Sequence, residues 1–119
     1  MKKPVSPTAH GVIDYVFSGL QAATPFLLSL NPATKKTYAA LSTGFTLVNA
    51  LTNTRAGIKP VIPFRSHQKA DVGFLVGLGL LSFAGFIRND KRSRLFHLAF
   101  LGLGLAHYLL TDYKQSAAK

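Results

Sequence analysis

The frame His-x-x-x-Asp occurs twice, as His10 with Asp14 and as His67 with Asp71, and each copy opens a long apolar run. A four-residue step returns to the same helix face, so each pair predicts two side chains stacked one turn apart. Shifting the chain by 57 residues lays one frame on the other and brings Phe26 onto Phe83. The same shift sets Val5-Ser6-Pro7 near Ile62-Pro63-Phe64. With two further residues allowed in the second connector, Leu51-Thr52-Asn53 falls on Leu110-Thr111-Asp112. The chain therefore reads as one helical hairpin used twice, repeat 1 over about 6–54 and repeat 2 over about 63–112.

Charge is segregated along the 119 residues, which suffice for one domain. From Ala9 to Leu30 the ionisable residues are His10, Asp14 and Tyr15. Thr37–Thr54 and Val72–Ile87 carry no charge, and Leu95–Thr111 carries only His97 and His107. Runs of this length approach the roughly 17–25 residues that cross a bilayer. The net charge of +10 lies in tails and connectors, where it would meet lipid head groups. No basic stretch is long enough for a nucleic-acid-binding domain. Cysteine is absent, which excludes disulfides, thiolate metal sites and Cys nucleophiles. Lys2 and Lys3 precede an apolar run, but no small-residue cleavage site follows, so the first run predicts a retained helix.

These signals predict an all-α membrane protein of four transmembrane helices in two tandem parallel hairpins, over about 7–30, 35–53, 67–88 and 94–112. Ser6-Pro7 starts the first helix and Asn31-Pro32 stops it; Thr34 and Ser66 are the expected caps of the second and third. Two helices per repeat give both repeats the same orientation, about a pseudo-two-fold axis along the membrane normal. One face would carry Lys2, Lys3, Arg55, Lys59, Arg65, Lys69, Lys114 and Lys119; the other would carry Lys35, Lys36, Arg88, Lys91, Arg92 and Arg94. Positive-inside reasoning then puts both termini in the cytoplasm of a cell with the protein in its inner membrane.

Every predicted helix has a polar seam. His10, Asp14, Ser18, Gln21 and Pro25 share one face; so do Ser42, Thr46, Asn49 and Asn53; so do His97, Gly104, His107 and Thr111. The third helix offers His67, Asp71, Leu78 and Ser82. Ser, Thr and Asn on such a stripe read as hydrogen-bond glue between helices, and Gly73-x-x-x-Gly77 and Gly102-x-x-x-Ala106 as small-residue packing faces. The ionisable residues form a candidate polar or ion-binding cluster of His10, Asp14, His67, Asp71 and His107 with Asn49 beside it, since an antiparallel last helix returns His107 to the two frames. His97 falls near the opposite face. The 55–66 connector reads as an interfacial segment over the cluster or a loop resting on head groups.

The hairpin resembles the SPW-repeat family of small bacterial membrane proteins. The carrying residues are His10-Gly11-Val12-Ile13-Asp14-Tyr15, Thr24-Pro25-Phe26 in the place of Ser-Pro-Trp, and Asp71 and Ser82-Phe83 in the second half. The resemblance implies a four-helix membrane protein and no particular activity.

No Gly-x-Ser-x-Gly, phosphate loop or Glu is present, and no enzyme is expected. The leading expectation is a structural or interaction module, a small subunit of a membrane complex or a homo-oligomer, whose partners are lipid, other membrane proteins or itself. A proton- or ion-handling transporter built on Asp14 and Asp71 is the alternative. A redox protein comes third, with His10, His67 and His107 as ligands to haem or a divalent metal. No cofactor is expected under the first two.

Overall fold

A computed structural model describes residues 2–116. The terminal residues 1 and 117–119, including Lys119 of the predicted basic face, lie outside the described residues. Helix α1 spans Pro7–Leu27, α2 Pro32–Ala50, α3 Phe64–Leu81, α4 Gly85–Arg88 and α5 Lys91–Leu110.

Local chemistry sets most of these boundaries. Ser6 Oγ accepts the Ala9 N–H at 3.2 Å and Pro7 stands at the first helical position, so α1 starts where its first free N–H groups find partners. It ends where Ser29 turns into the left-handed region at φ 51°, which lets the Leu30 N–H reach back to Pro25 O at 2.9 Å. Asn31, not Thr34, caps α2: its Oδ1 accepts the Thr34 N–H at 2.8 Å. The Asn31 Nδ2 group donates to Phe86 O and to Asp90 Oδ2 and so ties this corner to the one before α5, where Asp90 caps in turn. Helix α3 starts at Phe64, before the expected Ser66, with no side-chain cap.

The two ends of the repeat are joined by matching parallel bridges. Val5, ahead of α1, pairs with Thr111 after α5, and Ile62, ahead of α3, pairs with Thr52 after α2. The entry to each hairpin is thus fastened to the exit of the other. The 52–62 connector folds tightly beneath this pairing. A Cβ on Gly57 would lie 1.9 Å from Thr52 O, so only glycine fits there. Tyr15 donates to Ala56 O at 2.8 Å and pins the same connector to α1.

The interior is mostly polar. Tyr38, Leu78, Ile87 and Phe100 form the buried apolar cluster, while His10, Asp14, Gln21, Thr34, Asn49, Thr52, His67, Ser93, His97 and Thr111 are at most 1 % exposed. Large apolar side chains such as Leu27, Leu80 and Phe83 face outward. The α1 seam is buried as its spacing predicts: His10, Asp14, Ser18, Gln21 and Pro25 all point inward.

Four transmembrane helices are not what the chain forms. Five helices are present, and among the described residues only Lys91–Leu110 is long and apolar enough to cross a membrane. The other runs fall short because their apolar stretches share a helix with polar groups: Arg65, His67, Gln68, Lys69 and Asp71 all lie in the first half of α3. The expected third helix to residue 88 is broken by an extended Ala84 (ψ 136°), which leaves α4 as a single turn. The described residues therefore do not form a bundle of four transmembrane helices. Gly73, Gly77 and Gly102 have no neighbour within 4 Å of an added Cβ, so they are not close-packing faces either.

Candidate functional site

The two His-x-x-x-Asp frames converge. His10 and Asp14 project from the first half of α1, His67 and Asp71 from that of α3, and all four are buried. His10 Nε2 lies 3.1 Å from Asp14 Oδ2 and 3.1 Å from Asp71 Oδ2. His67 Nε2 lies 3.0 Å from Asp14 Oδ2 and 3.3 Å from Asp71 Oδ1. Each ring therefore bridges both carboxylates, its own and that of the other repeat. One ligand atom from each residue fits within a 4.8 Å group.

The other ring nitrogens fix the tautomers. The Thr111 hydroxyl donates its one proton to His107 O at 2.6 Å, so its oxygen accepts from His10 Nδ1–H at 2.7 Å. Thr52 repeats this, donating to Val48 O at 2.6 Å and accepting from His67 Nδ1–H at 2.7 Å. With the proton held on Nδ1, a neutral ring presents its Nε2 lone pair to the carboxylates. A lone pair facing an anion at 3 Å needs a cation between them, either a proton on Nε2 or a metal ion.

The carboxylates are held from outside as well. His107 Nε2 lies 2.9 Å from Asp14 Oδ1, and the Tyr113 hydroxyl donates to Asp71 Oδ2 at 2.7 Å. The His107 ring stacks on His10 with centroids 4.0 Å apart. Outer partners that orient each ligand in this way are characteristic of metal sites.

Electrostatics favour charge separation. Burial opposes ionisation of both aspartates. For Asp14 the close imidazoles of His10, His107 and His67 outweigh it and hold the carboxyl well below the usual range; for Asp71, those of His10 and His67 lower it. Burial also pulls the His67 imidazole down, but its bonds to Asp14 and Asp71 leave it pushed up to about 9. His10 is opposed by burial and raised by the two carboxylates beside it. Two anions and two protonated rings sum to neutrality; so do two anions and one divalent cation on neutral rings.

His10 Nε2 separates these states. It is buried and close to two carboxylate oxygens, yet it meets neither at hydrogen-bonding geometry. Ligands around a four-coordinate ion with metal–ligand bonds near 2.1 Å lie roughly 3.4 Å apart, which the contacts of 3.0–3.3 Å between ring and carboxylate nearly match. A cavity of about 20 Å³ adjoins the cluster, large enough for one water or ion. It has no room for a porphyrin.

Of the residues singled out in the sequence, His10, Asp14, His67, Asp71 and His107 come together. Asn49 does not join them: its Nδ2 donates to Gly11 O at 2.8 Å and braces α2 against α1. His97 lies apart, bonded to Tyr38 and Leu78. Sequence reasoning gave Thr52 no role, read Thr111 only as hydrogen-bond glue, and gave Tyr113 no role. The alignment of Thr52 on Thr111 was the available signal for the first two; Tyr113 sits in the expected polar tail.

No family model, curated protein or solved structure matches the chain. The resemblance to SPW-repeat proteins gains no support from these comparisons, and the geometry alone carries the functional reading.

Proposed function

We propose that this protein binds a divalent transition-metal ion between its repeats, with His10 Nε2, His67 Nε2 and the carboxylates of Asp14 and Asp71 as ligands. The observation that carries the reading is the convergence of two ring nitrogens and two carboxylates, one ring nitrogen lying between both acids without a bond to either. Imidazole with carboxylate suits zinc, iron or manganese. Thr52 and Thr111 hold the rings in the ligating tautomer, while His107 and Tyr113 orient the acids.

A second reading has its own support. His67 Nε2 meets Asp14 Oδ2 at hydrogen-bonding geometry, as expected for a protonated ring in a proton-holding cluster. Calorimetric titration of the chelator-treated full chain with zinc, in two buffers of different ionisation enthalpy, separates the readings. Metal binding predicts one equivalent bound tightly, with protons released from the rings. Heat of dilution alone, with both rings still titrating, supports proton holding and removes the metal.

A further inference from the structure

The small cavity at the cluster has walls of two kinds. Three of the four proposed metal ligands, His10, Asp14 and Asp71, line it directly. Phe17, Phe45, Phe74, Leu75 and Gly104 supply hydrocarbon. His67, the fourth ligand, is not among its walls, so the space lies beside the four-ligand centre and not at it. At about 20 Å³ it admits a guest of roughly one water's size. A glycine keeps it open: a Cβ on Gly104 would lie 3.4 Å from Leu75 Cδ2.

We propose that the metal held between the repeats takes an uncharged diatomic gas as a further ligand, seated in this cavity. The inference rests on the metal reading and adds what the metal binds. Iron and manganese accept more ligands than the four protein atoms supply, and the cavity is the space that three of those ligands share. A diatomic places one atom on the metal and the other in the cavity; a carbon-based substrate is too large for it. The walls also select against the competitors. A water is held by about two to four polar partners, and the polar groups here are already engaged: His107 Nε2 with Asp14, the Tyr113 hydroxyl with Asp71 and the Tyr108 hydroxyl with Gln68. An anion would lose its hydration against phenyl rings and meet two carboxylates. Asp14 and Asp71 together balance a divalent ion, so no net positive charge remains to draw an anion in.

The test is anaerobic loading of the full chain with ferrous iron, followed by titration with nitric oxide or with azide. One retained iron per chain is expected, with the electron paramagnetic resonance signal of a ferrous nitrosyl saturating at one nitric oxide per iron. Azide should bind at least about tenfold more weakly. Gly104→Leu fills the cavity and should weaken nitric oxide at least about tenfold, with iron content and helical circular dichroism unchanged. Gly104→Ala adds a single methyl group against Leu75 and should weaken it by a smaller factor, which keeps the test decisive where leucine disturbs the fold. Gly73→Leu, on an exposed face of α3 with open space around it, should bind nitric oxide as the wild type does. Iron that washes off the wild type would remove the metal reading and the gas ligand together. Retained iron without a nitrosyl signal, azide binding as tightly as nitric oxide, or Gly104 variants that bind nitric oxide like the wild type would overturn the gas ligand alone.

Discussion

Two buried histidine sites occupy this small protein, and they are wired in opposite senses. At His97 the Leu78 carbonyl can only accept, so Nε2–H donates to it at 2.9 Å, and Nδ1 accepts from the Tyr38 hydroxyl at 2.6 Å. Both nitrogens are satisfied by neutral partners. At His10 and His67 a threonine holds the proton on Nδ1, and Nε2 is aimed at carboxylates. The His97 site is complete as it stands and acts as a strut between α2, α3 and α5. The His10/His67 site is complete only with a cation. Burial and residue type are the same in both; the partner of the second nitrogen decides which ring is satisfied by the fold and which needs a proton or a metal ion against its carboxylates.

The largest break in that contrast should come from Asp14→Asn. Asp14 faces three histidines and is fully buried. Removing its charge leaves Asp71 as the one anion facing His10 and His67, a loss of about 3–5 kcal/mol in the metal-free protein by denaturant unfolding, and stoichiometric metal retention should vanish with it. Tyr38→Phe at the other site should cost about 1–3 kcal/mol, the penalty of an unpartnered His97 nitrogen, and leave metal retention intact.

Changes of pH sharpen the comparison. His67 is pushed up to about 9, so the folded metal-free chain holds its proton more tightly than the unfolded chain does. The stability this contributes is fully present below about pH 6.5 and is lost as pH rises through about 9. The lowered carboxyls of Asp14 and Asp71 act in the other direction: their contribution is present above about pH 4 and is lost in more acidic solution. Metal affinity should rise between pH 6.5 and 9, because each ligating ring must first release its proton. Thermal unfolding with and without zinc across that range should therefore diverge.

Smaller effects should follow from the threonines. Thr52→Val and Thr111→Val each remove a ring's tautomer lock and should weaken metal binding by about 10–100-fold in a competition titration. Equal effects at the two positions would show that the repeats contribute symmetrically.

Much of this site was legible in the sequence. The His-x-x-x-Asp spacing puts each pair on one helix face, and the internal alignment already set Thr52 on Thr111 and Val5 near Ile62. The structure turns those alignments into matching bridges and matching ring partners. What spacing could not show is that each histidine takes its threonine from the other hairpin, since a local pattern carries no information about which helix ends exchange. The break at Ala84 was hidden because no Pro or Gly pair marks residues 82–84. The expectation of four membrane crossings fails for a physical reason. Charge-free runs suggest lipid-facing helices, yet each run here carries the polar face that builds the interior. Tyr113 was missed because it lies in a polar terminal segment, where only the tertiary contact to Asp71 distinguishes it.

The most direct test of a cation-dependent centre is the visible spectrum of the cobalt-substituted full chain beside that of Asp14→Asn. One retained cobalt per chain is expected, with intense ligand-field bands of low-coordinate nitrogen and oxygen ligation, absent from the variant. A colourless wild-type protein that loses its cobalt on desalting would contradict it.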